Sequence, residues 1–382
     1  MLDTYRKFLP YTRSWSIIIL LIMGLTTSCR FSPSQRALTS EGISIPLSDA
    51  TGFTLQTLDE DRRLMTIMNP DDTAEVLAEF VLLPQDYSLP LKANEIKVPC
   101  ERIICLSSTQ LAYFFELDNI DPIVAINSSR HLFNANLKAK IASGKVKQVG
   151  KEGKFNVELI ASLDPDLIFV SPFKAGGYDA IRNLGIPLVP MAAYKESTPL
   201  GRAEWVKMIA PFIGMEAEAD SCFAHTKNAY HHLTDLTKGV AHRPTVFSGK
   251  MTSGAWYVAG GDSFFAHLFR DAGADYVIKD DKKGAYPMDF ETLYSLAHDA
   301  DYWRLLTSSD AGYGYETLKA EDERYSFFDA YKNKNIMLCN LRLVPYREQS
   351  AVKPDVLLAD YISHFHPQLL PDYHAVFWVD ME

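Results

Sequence analysis

Hydrophobic and polar positions follow two different rhythms along this chain of 382 residues. Between residues 51 and 83, the segments GFTLQTL and RLMTIM alternate in polarity, and the turn signal NPDDT separates them from VLAEFVLL. Alternation with a period of two is typical of half-buried strands, so this region predicts a small antiparallel meander. From residue 102 onward, short apolar segments alternate with helical ones, which predicts an α/β architecture.

The first α/β region extends to residue 196. Its short apolar segments are bounded by polar loops, and stretches of helical periodicity lie between them. The pattern predicts strands over residues 103–107, 123–126, 167–170 and 187–191. It predicts helices over residues 109–117, 156–163 and 177–184.

A connecting region without strand patterns follows, from residue 198 to residue 238. Its second half, residues 216–238, contains no glycine or proline and predicts one long helix that would span about 35 Å. One stripe at helical spacing carries its apolar side chains, namely Cys222, Phe223, Thr226, Ala229, Tyr230, Leu233 and Leu236. A helix of this length can cross between two lobes.

A second α/β region begins after this helix. Its pattern predicts strands over residues 245–248, 255–259, 276–278, 302–306 and 335–339 and helices over 262–272, 289–296 and 354–364. We therefore expect two Rossmann-like α/β lobes joined by one long helix, with an extra N-terminal antiparallel meander. The expected units are an N-terminal lobe (51–196), a linker (197–240) and a C-terminal lobe (241–382).

The N-terminus carries the pattern of an export signal. The apolar run in SWSIIILLIMGLTTSC is too short for a membrane span, follows Arg6, Lys7 and Arg13, and ends in small residues. We predict a signal peptide over residues 1–28 and a polar tether over 29–50. Cys29 resembles the cysteine of a bacterial lipobox and is predicted to carry a lipid anchor, although Leu25 stands one position too early. An ordinary signal peptide and a buried strand are the alternatives.

Composition and cysteine usage exclude several classes of protein. The net charge of −10 argues against a general nucleic-acid binder, which needs a basic surface. The other cysteines lack the C-x-x-C spacing of a zinc or redox site. An exported chain could pair them, and the sequence assigns no particular disulfide. Cys105 lies in an apolar run and is predicted to be a buried thiol. The first strand ends in LSSTQ without the glycines of a dinucleotide fold, and neither G-x-x-x-x-G-K-[ST] nor G-x-S-x-G occurs. These absences argue against a dehydrogenase, a P-loop enzyme and a standard hydrolase.

Four stretches together resemble one family. They are RIICLSSTQLAYFFELDNIDPIVAI, QVGKEGKFNVELIASLDPDLIFVS, WYVAGGDSFFAHLFRDAGADYV and MDFETLYSLAHDADYWRLL. In this order, with one long helix between lobes, the chain resembles the class III periplasmic substrate-binding proteins of ABC importers for iron–siderophore complexes, haem and cobalamin. The resemblance covers residue 102 to the C-terminus, and the meander is extra to it.

The resemblance implies two contacts with a membrane permease. In this family an acidic residue on each lobe docks onto arginines of a permease dimer, and the matching residues here are Glu158 in NVELI and Glu291 in DFETL. The alternative is that both carboxylates only favour the positive end of a helix macrodipole. The resemblance further implies a monomer that closes slightly over its ligand, outside the cytoplasm, in the periplasm or at the cell surface. A binding protein of this kind makes and breaks no bond, so the resemblance implies neither an enzyme nor a cofactor.

The ligand is expected between the lobes, at the carboxyl ends of the strands. Aromatic surface suits a large chelate and cations suit an anionic one. The candidates combine both types: Ser108, Arg130, Lys151, Phe173, Lys174, Lys250, Trp256, Tyr257, Tyr286, Tyr313 and Arg342. Of these, Arg130 and Arg342 are the sharper predictions because each follows a strand directly.

The identity of the ligand stays open at this point. The cations favour an iron complex (a siderophore or haem), and the aromatic residues also suit cobalamin. A bare zinc or manganese ion is a weaker alternative, since only His131 is an obvious metal ligand in the loops between the lobes. A surface lipoprotein for adhesion or glycan binding is the alternative from another class.

Overall fold

The computed structural model describes residues 43–151, 154–173 and 178–382. The predicted signal peptide, Cys29 and Lys174 lie outside the described residues. The part of the chain from residue 41 to the C-terminus forms one compact unit.

A five-stranded sheet lies at the start of this unit. Its strands pair in sequence order and are antiparallel except for the last pair, β4 with β5, which is parallel. Inward residues such as Phe53 and Met65 are buried, as the alternation predicted. The meander is therefore confirmed, and it extends beyond the predicted range. The strands are β1 (Ile43–Ser44), β2 (Phe53–Thr57), β3 (Arg63–Asn69), β4 (Asp72–Pro84) and β5 (Glu95–Val98).

Two buried carboxylates fix the chain at the start of this sheet. Glu204 accepts backbone N–H groups of Ser48 to Ala50 at 2.7 to 3.0 Å. Glu196 accepts the N–H groups of Thr51 and Gly52, each at 2.9 Å. Residues 48–50, which the sequence assigned to the tether, are thus bound to the body of the protein.

The first lobe contains a parallel sheet with the strand order β12-β11-β6-β7-β8. Its central strands are fully buried, which explains their continuous apolar sequence. The strands are β6 (Ile103–Cys105), β7 (Ile123–Ile126), β8 (Lys147–Gln148), β11 (Leu167–Val170) and β12 (Leu188–Pro190), and β9 (Gly150–Lys151) and β10 (Lys154–Phe155) form a separate hairpin. The helices are α1 (Ser108–Glu116), α2 (Ala135–Ala142), α3 (Val157–Ser162) and α4 (Asp179–Arg182).

The long connecting helix is present nearly as predicted. A short 3-10 helix (Ala193–Lys195) precedes α5 (Pro199–Glu204), α6 (Val206–Ile213) and α7 (Glu216–Thr237). Phe223 of α7 packs in the core of the first lobe, and Tyr230, two turns later, packs in the core of the second. One amphipathic helix therefore contributes to both hydrophobic cores.

The second lobe contains a sheet of order β16-β13-β18-β19-β20, parallel except for β20. In chain order the strands are β13 (Thr245–Ser248), β14 (Met251–Thr252), β15 (Ala255–Ala259), β16 (Asp275–Tyr276), β17 (Ala285–Met288), β18 (Tyr302–Thr307), β19 (Ile336–Asn340) and β20 (Val379–Asp380). The helices are α8 (Phe264–Asp271), α9 (Phe290–Ala297), α10 (Tyr315–Glu321), α11 (Asp329–Lys332), α12 (Tyr346–Gln349) and α13 (Pro354–Phe365), with 3-10 helices at Glu323–Phe327 and Pro367–Leu369.

Strand β15 corrects one expectation. The sequence placed residues 255–259 among the strands of the α/β lobe, but β15 forms a separate antiparallel sheet with β14 and β17. The turn Ser253–Gly254, with positive φ at both residues, reverses the chain after β14 and makes this local pairing. The ring of Trp256 then faces inward and is fully buried against Phe247 and Trp303.

A segment of the second lobe packs into the first. Ala351 and Val352, which follow α12, belong to the buried core of the first lobe. Beside them, Lys353 forms an ion pair with Glu116 of α1 at 2.7 Å. Helix α12 and the residues after it therefore form a second link between the lobes, in addition to α7.

Candidate functional site

The loops after the strands of the first sheet meet the second lobe at one cleft. Ser107 and Ser108 follow β6, Asn127 and Ser128 follow β7, and Lys151 lies in the hairpin after β8. Because these strands are parallel, their carboxyl ends share one edge of the sheet. The opposite wall comes from the residues after β19, in the second lobe.

We call the larger part of this cleft the cationic chamber. It has two adjoining regions, with cavity volumes of about 220 Å³ and about 480 Å³, that share Arg130, His131 and Leu132. The other residues that line the first region are Ser107, Ser108, Leu111, Asn127, Ser128, Lys151 and Arg347, and those that line the second are Phe133, Lys138, Leu341 and Arg342.

Positive charge dominates the cationic chamber. Arg130, Lys151 and Arg347 are exposed in its first region, and no carboxylate is found among the described residues that line either region. Arg342 contacts the exposed Asp310 at the rim. In a chain with a net charge of −10, this concentration of cations forms an anion-attracting cleft.

His131 responds to this environment. Burial lowers the pKa of its imidazole, and the positive charges of Arg347, Arg130, Arg342 and Lys151 lower it further. The ring therefore favours the neutral form in the free protein. A bound anion would oppose this effect, because negative charge stabilises the protonated ring.

The N-terminus of α1 also faces this chamber. Ser107 is its N-cap, and its hydroxyl accepts the N–H of Thr109 at 3.3 Å and contacts the Thr109 hydroxyl at 2.8 Å. The free N–H groups of a first helical turn and the helix macrodipole both favour negative charge. The strand–Ser–helix sequence that the pattern singled out thus adds to the positive potential.

A second cavity, which we call the narrow chamber, lies beside α1. Its cavity volume is about 40 Å³. Both lobes and the connecting region line it, through Thr109, Gln110, Tyr113, Ser171, Met191, Ala193, Tyr194, Arg202, Ser350 and Ala351. The guanidinium of Arg202 stacks over the Phe264 ring of the second lobe, 3.7 Å from its centroid. The narrow chamber is therefore enclosed by the link between the lobes.

The structure brings several predicted ligand residues together. Ser108, Arg130 and Lys151 line the first region of the cationic chamber, and Arg342 lines the second. The side chain of Phe173 is exposed near the narrow chamber. The backbone N–H of Phe173 donates to the hydroxyl of Tyr194, which lines that chamber, at 3.3 Å.

The other described candidates lie apart from both chambers. Lys250 contacts Glu321 at 2.6 Å and the Tyr313 hydroxyl at 3.3 Å, so their polar groups satisfy one another within the second lobe. On the small antiparallel sheet, the three other candidates differ in exposure. Trp256 is fully buried, Tyr257 is exposed, and Tyr286 donates its hydroxyl to Asp280. Strand β15 carries Trp256 and Tyr257 away from the parallel sheet at whose edge the ligand was expected.

The two carboxylates predicted to dock occupy equivalent positions. Asn156 caps α3 by accepting the N–H of Leu159 at 2.9 Å, and Asp289 caps α9 by accepting the N–H of Thr292 at 2.8 Å. Glu158 and Glu291 each stand two residues after the cap and are exposed. Since both helices lead back to a parallel strand of their lobe, their N-termini lie toward the carboxyl edge of each sheet.

Sequence patterns did not reveal several residues of the site. Arg347 and Glu348 lie on a four-residue helix without clear periodicity, and Gln110 and Arg202 occur within helices whose apolar pattern is unremarkable. Tertiary contacts between distant segments of the chain bring these residues to the site. His131 belongs to the loop NSSRH that the sequence did indicate.

Neither a metal-binding cluster nor a membrane-spanning helix occurs among the described residues. Among residues 43–151, 154–173 and 178–382, no cluster of three or more His, Cys, Asp and Glu side chains has an arrangement suited to a metal ion. Within the same ranges, no helix has both the length and the apolarity needed to cross a membrane. The cysteines at positions 100, 105, 222 and 339 are free thiols, and Cys105 is fully buried as predicted.

Comparison with known proteins identifies the sequence pattern. Residues 103–342 match the pattern of the family described as periplasmic binding protein. An uncharacterized lipoprotein of Methanocaldococcus jannaschii is 29% identical over 312 residues, which cover 76% of this chain and 73% of that protein.

Solved structures match the fold at lower sequence identity. The structure of an ABC-type Fe³⁺-hydroxamate transport system from Saccharomonospora viridis has a TM-score of 0.58 and 16% identity, covering 79% of this chain and 98% of that one. The structure of IsdE from S. aureus complexed with heme has a TM-score of 0.55 and 18% identity, and the match covers 69% of this chain and 98% of that one.

Proposed function

Because the chain belongs to the periplasmic binding protein family, we propose that it captures an anionic iron complex, a siderophore or haem, outside the cytoplasm and delivers it to an ABC importer. The observation that carries this proposal is the cationic chamber, where Arg130, Lys151, Arg342 and Arg347 converge from both lobes. The solved structures with similar folds include IsdE complexed with heme and an ABC-type Fe³⁺-hydroxamate transport system.

The chemistry of the chamber supports an anionic ligand in two ways. Guanidinium groups form strong, charge-assisted hydrogen bonds with carboxylates and other oxyanions. A cleft with cations and low-dielectric walls also raises the association rate of a ligand with the opposite charge. A neutral chelate would gain from neither effect, so the charge of the ligand determines how tightly it binds.

Two further parts of the proposal concern the membrane. Glu158 and Glu291 dock the loaded protein on a permease dimer, supported by their exposure and equivalent helical positions. Cys29 carries a lipid anchor, supported by the relative named as a lipoprotein. Substitution Cys29→Ser would release the protein from membranes if this is correct, and retention of the variant in washed membranes would contradict it.

A titration of the purified full-length chain in detergent tests the ligand. We would follow tryptophan fluorescence with ferric siderophores of negative and of zero net charge, with haem, with cobalamin and with zinc. We expect saturation by an anionic iron complex. Replacement of Arg130 and Arg342 by glutamine should weaken the affinity for this complex by at least about tenfold, because hydrogen bonds to charged groups contribute about 1.5–3 kcal/mol each.

A matched control separates the site from general charge effects. Arg62 is also an exposed arginine beside an exposed aspartate, and Arg182 is a second exposed arginine. The double variant Arg62→Gln with Arg182→Gln removes the same charge elsewhere and should keep the affinity of the unmodified protein. Saturation by zinc or cobalamin alone, or equal losses in the two double variants, would contradict the proposed ligand.

A further inference from the structure

We infer that the narrow chamber binds an uncharged carboxamide group carried by the ligand. This inference rests on the proposed function, because it assigns a second contact to the same ligand beside the cationic chamber. The observation behind it is Gln110, whose side chain is only 2% exposed and lines the chamber. Neither the oxygen nor the nitrogen of its amide has a hydrogen-bond partner among the described residues.

A buried amide without partners is unusual in a folded protein. Most buried polar side chains form at least one hydrogen bond, since each missing bond leaves a desolvation penalty. The local contacts of α1 do not supply one for Gln110, although its own backbone N–H donates to Ser107 at 3.1 Å. The side chain is therefore positioned to bind a group that enters from outside the protein.

Arg202 adds a second unsatisfied group to the same chamber. Its Nη2 donates to the carbonyls of Tyr194 and Glu196 at 3.1 and 3.2 Å, and its plane stacks on Phe264. Its buried Nε–H has no partner among the described residues. Gln110 and Arg202 thus offer donors, from the Gln110 amide nitrogen and from Arg202 Nε, beside one acceptor, the oxygen of the Gln110 amide.

This combination selects for an uncharged amide. An amide carbonyl can accept from the Gln110 nitrogen or from Arg202, while its N–H donates to the Gln110 oxygen. A carboxylate could accept a charge-assisted hydrogen bond from Arg202, but it presents only acceptors and would leave the Gln110 oxygen without a donor. An ammonium group would be repelled by Arg202. A hydroxyl group has a single O–H to donate and would form fewer hydrogen bonds with Gln110 and Arg202, so it would bind more weakly.

The surrounding walls explain how such a group is held. Met191, Ala193 and Ala351 supply apolar surface, and Ala351 comes from the segment after α12 that packs into the core of the first lobe. A small apolar stem ending in an amide therefore fits between them. Since both lobes and Arg202 form the walls, occupation of the chamber also favours the arrangement of lobes described here.

The test uses Gln110→Leu, which removes both polar atoms at similar volume. In the free full-length chain in detergent, we expect this variant to melt about 2 °C or more above the unmodified protein, because an unsatisfied buried amide is removed. In the unmodified protein, propionamide at millimolar concentration should raise Tm, whereas propionate and 1-propanol should not. In Gln110→Leu, the response to propionamide should be absent.

Gln368→Leu is the matched control, since Gln368 is exposed on a short 3-10 helix far along the chain from α1. It should keep the response to propionamide. The inference is overturned if Gln110→Leu lowers Tm, which would mean that water inside the chamber already satisfies the amide. It is also overturned if propionate or 1-propanol raises Tm as much as propionamide does.

These readouts are independent of the iron complex. Failure of every chelate to bind would contradict the proposed function while the response to propionamide still reports on the chamber. Conversely, chelate binding that is unchanged in Gln110→Leu would leave the proposed function intact and overturn the inference. A loss of tenfold or more in chelate affinity, together with the higher Tm of the free variant, is the expected combination.

Discussion

The side chain of Glu348 in the second lobe accepts the backbone N–H of Asn134 in the first lobe at 3.0 Å. Its other oxygen accepts the neighbouring N–H of Phe133 at 2.5 Å. Asn134 is the N-cap of α2, so a carboxylate from the opposite lobe lies at the N-terminus of this helix, where negative charge is favoured. The contact forms a rim of the cationic chamber and holds the lobes together there.

Replacement of Glu348 by alanine should separate the lobes at this rim. The variant leaves two N–H groups without an acceptor and removes a favourable charge at a helix N-terminus, so we expect a loss of about 2–4 kcal/mol in the free energy of unfolding. Chemical denaturation measures the loss, and amide hydrogen exchange of Phe133 and Asn134 should accelerate. The control is Glu316→Ala, at an exposed first-turn glutamate of α10. Equal stability of the two variants would contradict this interpretation.

Reversal of the two docking charges should separate binding from transport. In Glu158→Lys with Glu291→Lys, we expect uptake of the ligand to fall to background in cells that depend on this protein, because two carboxylates would no longer match cationic pockets of a permease. Affinity for the ligand in solution should not change. Asp179→Lys with Glu316→Lys is the control, since both residues are also exposed acids in first helical turns. Normal uptake by the first double variant would exclude the docking role.

Ligand affinity should depend on pH through His131. Burial and the surrounding cations lower the pKa of this ring in the free protein, and a bound anion raises it. Binding then takes up a proton, so affinity should increase as pH falls from about 8 to about 6. The measurement is a titration with a ferric chelate whose own charge is constant over that range. In His131→Asn the slope should disappear, and an unchanged slope in this variant would assign the effect to another group.

Stability should depend on pH through the pair of His364 and Asp380. Burial lowers the pKa of His364, but hydrogen bonds to Asp380 and to the Trp378 carbonyl, at 3.1 and 2.7 Å, raise it overall. The hydrogen bond to His364 also holds the pKa of Asp380 below its ordinary value. The contribution of His364 to the free energy of unfolding is therefore complete below about pH 6.5, and it is lost as pH rises through the pKa of His364 in the folded protein. The contribution of Asp380 to stability is complete above about pH 4, and it is lost as pH falls through the pKa of Asp380 in the folded protein.

The difference in stability between the unmodified protein and His364→Gln should therefore be largest near pH 5 and smaller at pH 8. Urea denaturation at both values measures it. His374→Gln, at an exposed histidine of the same C-terminal region, serves as control and should show no such difference. A difference for His364→Gln that is constant with pH would show that only the uncharged hydrogen bond to Trp378 matters.

Local patterns predicted most elements because the information lies within each segment. Strand 123–126 and strand 167–170 begin and end as the apolar runs indicated, and α7 ends one residue before the predicted limit. The equivalent helical positions of Glu158 and Glu291 could also be predicted from the sequence, since each residue follows a capping residue in a similar segment. Arg130 and Lys151 could be named from the sequence because each lies in a loop after a strand of the parallel sheet, and both line the cationic chamber.

The sequence by itself determined the alternation of strands and helices, the long connecting helix and the family, because periodicity, caps and motifs act over a few residues. Only the tertiary structure decided which segments meet. It paired β15 with β14 and β17 instead of the parallel sheet, and it brought Glu348 to Phe133 across 215 positions of sequence. It also buried the Gln110 side chain, whose amide has no hydrogen-bond partner in the described part of the chain. Such contacts depend on how two complete cores pack against each other, and no local pattern records that packing.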